Sequence, residues 1–282
     1  MPRKFSRAIK RIVVKVGSSV IATHKMKPEE GRLRAIVDQI SRLREKKIEV
    51  ILVSSGAIVL GMGELNQETR PSGLASLQAC AAIGQAVLMR TYSDLFEKYG
   101  IKCAQVLLTW DDFNDRIRYN NAHHTLKAIL SKGVIPIINE NDTISTEEIK
   151  FGDNDKLSAL VASLIHADSL IILSDVEGFY SIKDGEKVFH KQIDEVTRAI
   201  EGDATDTTKK HISKGGMIAK LEAVNIVTQA NIPCVIASGD TIDVLPRIVD
   251  GEEVGTRFLE KEEKLLSRKH WIAFGAKPKG KI

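Results

Sequence analysis

The chain has 282 residues, 43% of them hydrophobic and 28% charged, ordinary values for a soluble globular protein rather than a disordered or membrane one. Its 41 basic and 37 acidic residues leave a formal charge of only +4, with both signs interspersed, so nucleic-acid binding draws little support from charge. The basic excess collects at the ends, in Arg3, Lys4, Arg7, Lys10 and Arg11 and again in Arg268, Lys269, Lys277, Lys279 and Lys281, where solvated tails are the plain reading.

No apolar stretch approaches about 18 residues, and the basic start lacks a following apolar segment. Neither a membrane span nor secretion is indicated, and the cytoplasm is the expected compartment. Cys80, Cys103 and Cys234 are odd in number, widely separated and set among apolar residues, which predicts reduced buried thiols rather than a disulfide framework or a metal knuckle.

In chain order, the apolar run Ile12-Val13-Val14 predicts a first strand. Leu33, Ile36, Val37, Ile40 and Leu43 at helical spacing predict a helix, and Val50 to Val53 a second strand, the β-α-β pattern of a parallel sheet. Further strands are predicted at 104–108, 134–138, 170–173 and 235–237, and Leu157, Leu160, Val161 and Leu164 mark another helical face. A mostly parallel sheet must be covered on both sides, so the expected fold is a three-layer α/β/α sandwich. No Pro/Gly/Ser-rich linker divides the chain, which reads as one domain over 1–259 followed by a tail over 260–282.

Ligands of open parallel sheets sit beyond the carboxyl ends of the strands, and the unusual residues fall there. Lys15 interrupts the first apolar strand just before Gly17-Ser18-Ser19. Burying its ammonium is costly unless an anion meets it; an edge-strand lysine snorkelling to water is the alternative. The second strand ends in Ser54-Ser55-Gly56, a junction whose free N–H groups and hydroxyls suit a carboxylate or phosphate, or an ordinary helix cap.

The densest polar cluster is Asn139-Glu140-Asn141-Asp142-Thr143, followed by Gly152-Asp153-Asn154-Asp155-Lys156. Two such clusters exceed what turn chemistry requires, and they do not follow the EF-hand calcium spacing. Next come Ser174-Asp175 at another strand end, and Lys214-Gly215-Gly216-Met217-Ile218-Ala219-Lys220. There a Gly-Gly pair before a helix lets the backbone approach a phosphate, with Lys220 one turn in. The P-loop and dinucleotide-binding glycine fingerprints are both absent.

Taken in this order, V-V-K-V-G-S-S, S-S-G-A, I-N-E-N-D-T, G-D-N-D-K-L-S-A, L-S-D-V-E-G-F-Y and K-G-G-M-I-A-K resemble the motif series of glutamate 5-kinases, within the amino-acid kinase fold. The resemblance spans Arg11 to Ile272 and is most specific from Asn139 to Ala159. It implies ATP-dependent phosphorylation of the side-chain carboxylate of L-glutamate, with magnesium accompanying the nucleotide. Ser55, Asp142 and Asn154 would contact glutamate, and Lys15 and Lys220 would flank the transferred phosphoryl group with Asp155 orienting them. Lys15, Ser174, Asp175 and the loop from Lys214 to Lys220 would hold ATP.

The resemblance further implies feedback inhibition by proline, a homo-oligomer, and a glutamate-5-semialdehyde dehydrogenase partner that consumes the acyl phosphate. Two features depart from the pattern. Relatives usually carry threonines where this chain has Lys214 and Ala219, a change that bears on nucleotide affinity. Many also continue into a small PUA module, before which this sequence stops. Rival readings are another enzyme of the same fold, acting on N-acetylglutamate, carbamate or uridylate, and a non-catalytic nucleotide or amino-acid binder.

Overall fold

A computed structural model describes residues 8–144, 154–183, 186–197, 200–202 and 216–261. Eight strands form one sheet: β1 (Arg11–Val16), β2 (Glu49–Ser54), β3 (Cys103–Leu108), β4 (Ile135–Glu140), β5 (Ser169–Ser174), β8 (Gln192–Ile193), β9 (Cys234–Ser238) and β10 (Thr256–Phe258). Their spatial order is β3-β4-β2-β1-β5-β9-β10-β8, and every pair is parallel except β9 with β10. A separate antiparallel hairpin joins β6 (Phe179–Lys183) to β7 (Glu186–His190).

Alternation along the strands builds the three layers. Val13, Ile51, Val53, Ile138, Leu170 and Ile172 project into one apolar cluster, packed with α7 (Asn154–Leu164) and α8 (Gly216–Gln229). Ile12, Val14, Leu52, Ile137, Ile171 and Leu173 project into the other, which receives α2 (Glu30–Glu45), α4 (Leu74–Glu97) and α9 (Val244–Val249). Buried on both faces, these strands read as unbroken apolar runs, which is why the sequence marks them clearly. Among the described residues no helix is long and apolar enough to cross a membrane.

The predicted core strands and the sandwich agree with the structure within a residue or two at the ends. The hairpin and the short strands β8 and β10 carry no comparable apolar run and escaped the sequence reading. Cys80 and Cys234 are buried as expected, while Cys103, on the edge strand β3, is only half-buried.

On its outer side α2 is tied to the segment entering and leaving α9 by Arg32–Asp240, Arg42–Asp243 and Lys46–Asp250 ion pairs. These pairs are substantially exposed and each adds little to stability. Burial of Leu33, Ile36, Val37, Ile40 and Leu43 does most to hold α2 in place.

Candidate active site

The side-chain alternation that builds the core also directs the polar residues at the carboxyl ends of the strands. Lys15 follows Val13 on the α7/α8 face of β1, a central strand between β2 and β5. With only 5% of its surface exposed, it is not an edge lysine reaching for water. Its Nζ lies 2.6 Å from Asp155 Oδ1, at the start of α7. Lys220 Nζ, one turn into α8, lies 3.4 Å from Asp155 Oδ2 and donates to the Gly216 carbonyl at 3.0 Å.

Burial opposes ionisation of Asp155, but the two ammonium groups outweigh it and hold the carboxyl below the usual carboxylate range. Two buried cations thus share one anion, leaving this three-residue cluster with a net positive charge. Gly17 keeps the approach open: a Cβ there would sit 3.2 Å from the Leu173 carbonyl oxygen and 3.9 Å from Lys15 Nζ.

Beside this cluster, Asn154 donates from Nδ2 to Asn139 Oδ1 at 2.8 Å and to Ser55 Oγ at 3.2 Å. The backbone supports that arrangement, since Ser55 N–H donates to the Val16 carbonyl at 3.0 Å. Gly56 then turns the chain into α3 (Ala57–Glu64) with φ of 100°, a left-handed conformation that strongly favours glycine.

Asp142 lies on the turn after β4, where the Thr143 hydroxyl donates to Asn141 Oδ1 at 2.6 Å. It joins none of the hydrogen bonds of Ser55 and Asn154. Partial burial pushes its carboxyl up to about 6, against a smaller opposing pull from Arg70.

Ser174, buried, donates to Asp175 Oδ1 at 2.9 Å, while its carbonyl accepts from Gly239 N–H at 2.8 Å. Asp175 itself is exposed. Gly216, Met217, Ile218 and Ala219 form the first turn of α8, and Ile218 is exposed. Asp153, Lys214 and Gly215 lie outside the described residues, as do most of the basic ends and every residue beyond Lys261. Lys156, within the motif that contains Asp155, points its ammonium to Glu222 of α8 at 2.6 Å and so ties the two helices together. His123 and His124 sit within α6 (Arg116–Ser131), on a different element from the lysine cluster.

The structure therefore brings together Lys15, Asp155 and Lys220 as one set, with Ser55 and Asn154 as a second set. Sequence reasoning missed the importance of Asn139 and Gln85. Gln85 was detectable as a lone amide in the α4 stretch Ala81, Gln85, Leu88, Tyr92, whose spacing places it on the buried face. Among the described residues no group of three or more His, Cys, Asp or Glu side chains is placed to hold a metal.

Residues 10–238 match the model of the amino acid kinase family. Among curated proteins, the glutamate 5-kinase of Pelobacter propionicus is 42% identical over 285 residues, covering 100% of this chain and 76% of that protein. The glutamate 5-kinase of Caldanaerobacter subterraneus subsp. tengcongensis is 46% identical over 273 residues, covering 96% of this chain and 73% of that protein.

Among solved structures, carbamate kinase from Giardia lamblia bound to AMP-PNP superposes with a TM-score of 0.61 at 17% identity, covering 90% of this chain and 99% of that one. UMP kinase from Bacillus anthracis gives 0.59 at 17% identity, covering 90% and 98%. These two establish the fold, and the closer sequence matches narrow the assignment. A buried lysine-aspartate-lysine cluster at the strand ends of this sandwich, in a chain so similar to the curated relatives, places the protein in the amino acid kinase family, among the glutamate 5-kinases.

Proposed function

We propose that this chain transfers the γ-phosphoryl group of ATP to the side-chain carboxylate of free L-glutamate, giving L-glutamyl 5-phosphate, the first step of proline biosynthesis. The observation that carries this reading is the Lys15–Asp155–Lys220 cluster, buried beside the hydrogen-bonded set of Ser55, Asn154 and Asn139. A glutamate side chain, with an ordinary pKa of about 4.3, is already ionised at neutral pH and attacks phosphorus without a general base. What the reaction requires is compensation of charge where two anions meet, followed by stabilisation of the charge spread over the phosphoryl oxygens.

Lys15 and Lys220 supply that charge, and Asp155 aims both ammonium groups at one point. Ser55 and Asn154 hold the amino-acid substrate, and Asp142 meets its α-ammonium. Ser174, Asp175 and the segment from Lys214 to Lys220 hold the nucleotide. The only carboxylate in the lysine cluster is already engaged by both lysines, so the donor set suits a magnesium ion that arrives on the nucleotide. Such an ion supplies further charge neutralisation at the phosphates. A homo-oligomer, a cytoplasmic location and a glutamate-5-semialdehyde dehydrogenase that consumes the hydrolysis-prone product belong to the same proposal.

The deciding experiment is ADP release with free glutamate, N-acetylglutamate, aspartate and carbamate offered in parallel, with hydroxylamine to trap acyl phosphate. Glutamate alone is expected to give hydroxamate at a substantial rate. Preferential use of N-acetylglutamate or carbamate rejects the assignment. We place proline inhibition at the glutamate pocket, so in a glutamate titration at several fixed proline concentrations the apparent KM for glutamate should rise. Activity indifferent to millimolar proline removes that part of the proposal.

A further inference from the structure

The chain of amides behind the pocket is longer than substrate contact requires. Asn139 Oδ1 accepts from the Glu140 N–H at 2.9 Å, and Asn154 Oδ1 accepts from the same N–H at 3.3 Å. A backbone N–H can only donate, so it fixes the position of both amide oxygens and turns both NH2 groups away from itself. The NH2 group of Asn154 then meets Asn139 Oδ1 and Ser55 Oγ. That of Asn139 has one place to go, Gln85 Oε1 on α4, at 2.9 Å. Gln85 Nε2 donates in turn to Gln105 Oε1 on the edge strand β3 at 3.2 Å.

Asn139 and Gln85 are 2% and 9% exposed, and Gln85 shares α4 with the buried Leu88 and Tyr92. A carboxamide in that position is unfavourable unless its polar atoms are paired, and here each end has a partner. We infer that Gln85 is a positioning residue: by accepting from Asn139 it locks the orientation of the Asn154 carboxamide and the Ser55 hydroxyl for the acceptor substrate.

This inference rests on the reading of Ser55 and Asn154 as glutamate contacts. Without the Gln85 acceptor, the Asn139 NH2 group is left unpaired in a buried site. It regains a partner only by rotating, and rotation withdraws Oδ1 from Asn154. The competent orientation then becomes one of several, and substrate affinity falls by the fraction lost. Among the described residues, those assigned to ATP lie on β1, at the carboxyl end of β5 and on α8, outside this chain of amides, so nucleotide affinity stays as it was.

The test uses full-length variants, with KM measured separately for glutamate and ATP and with melting temperature recorded. Gln85→Met keeps the side-chain length but removes the amide, and raises the glutamate KM by about tenfold, the effect of one unpaired buried polar group, with the ATP KM unchanged. Gln85→Glu restores the glutamate KM to within about threefold, because in either protonation state a carboxyl oxygen faces Asn139, and the exposed Gln105 amide can turn to match the other oxygen. If Gln85→Met does not fold, Gln85→Asn serves instead: it keeps an amide but withdraws it by one methylene, and must raise the glutamate KM selectively.

Asn154→Ala separates the two levels of the argument. If it leaves the glutamate KM unchanged, the pocket reading fails and the positioning role with it. If Asn154→Ala raises that KM while Gln85→Met does not, the positioning role alone is overturned. A parallel rise in both Michaelis constants with a lowered melting temperature, or no rescue by Gln85→Glu, shows a purely structural residue and overturns it equally.

Discussion

Lys220→Ala and Lys15→Ala each lower kcat by about a hundredfold or more, the usual loss when one preorganised electrostatic group is taken from a transition state. The two ammonium groups approach the same carboxylate from β1 and α8, Lys15 at 2.6 Å and Lys220 at 3.4 Å. Removing either leaves Asp155 with a single partner and cancels the net positive charge that faces the transferred group. If the lysines served only to neutralise Asp155, each variant would lose stability yet turn over near-normally once folded. Steady-state kinetics alongside melting temperature therefore settle the role, and near-normal kcat in both variants removes the catalytic assignment.

Asp155 adds a pH signature to the same variants. Its carboxyl is held below the ordinary range, so its contribution to stability is present above the unfolded pKa of about 3.9 and is lost as pH falls through the lower folded value. Lys15→Ala and Lys220→Ala remove counter-charge and raise that folded value. Acid unfolding of either variant accordingly begins at higher pH than in the unmutated protein.

Asp142→Ala weakens glutamate binding by about 2–5 kcal/mol, the range for truncating one side of a desolvated charge pair, and leaves the ATP KM nearly unchanged. A free amino acid carries an α-ammonium that needs an anionic partner on leaving water, and an N-acetyl amide would leave Asp142 without that counter-charge. The folded protein has already raised the Asp142 carboxyl to about 6, with burial as the main cause, so the free protein holds the anion at a cost above that pH.

The signs for binding and stability are then opposite. Glutamate capture, read as kcat/KM, rises with pH through about 6 and levels off above it, and Asp142→Asn abolishes this step. The raised pKa also means that Asp142 takes stability away as pH rises from the carboxylate range through 6, so Asp142→Asn does not lower the melting temperature at neutral pH. A residue that merely organises the turn gives a different result: lowered melting temperature and a parallel rise in both Michaelis constants. Efficient use of N-acetylglutamate by the unmutated protein also counts against the free-glutamate assignment.

The apolar runs Val50 to Val53 and Leu170 to Leu173 reveal central parallel strands because both faces of such strands are buried, and that requirement is written locally in consecutive residues. Motif spelling likewise marked Lys15, Ser55, Asn154, Asp155 and Lys220 one at a time, each with an ordinary alternative as a cap, turn or surface lysine. Only the tertiary structure decided which of those side chains stand together. The sheet order sets β1 in the middle, beneath α7 and α8, and so brings Lys15, Asp155 and Lys220 into one cluster from distant parts of the chain. Gln85 and Asn139 meet for the same reason, across the gap between α4 and the end of β4. Periodicity records which face a residue takes, whereas charge pairing and amide orientation depend on which elements the sheet places side by side.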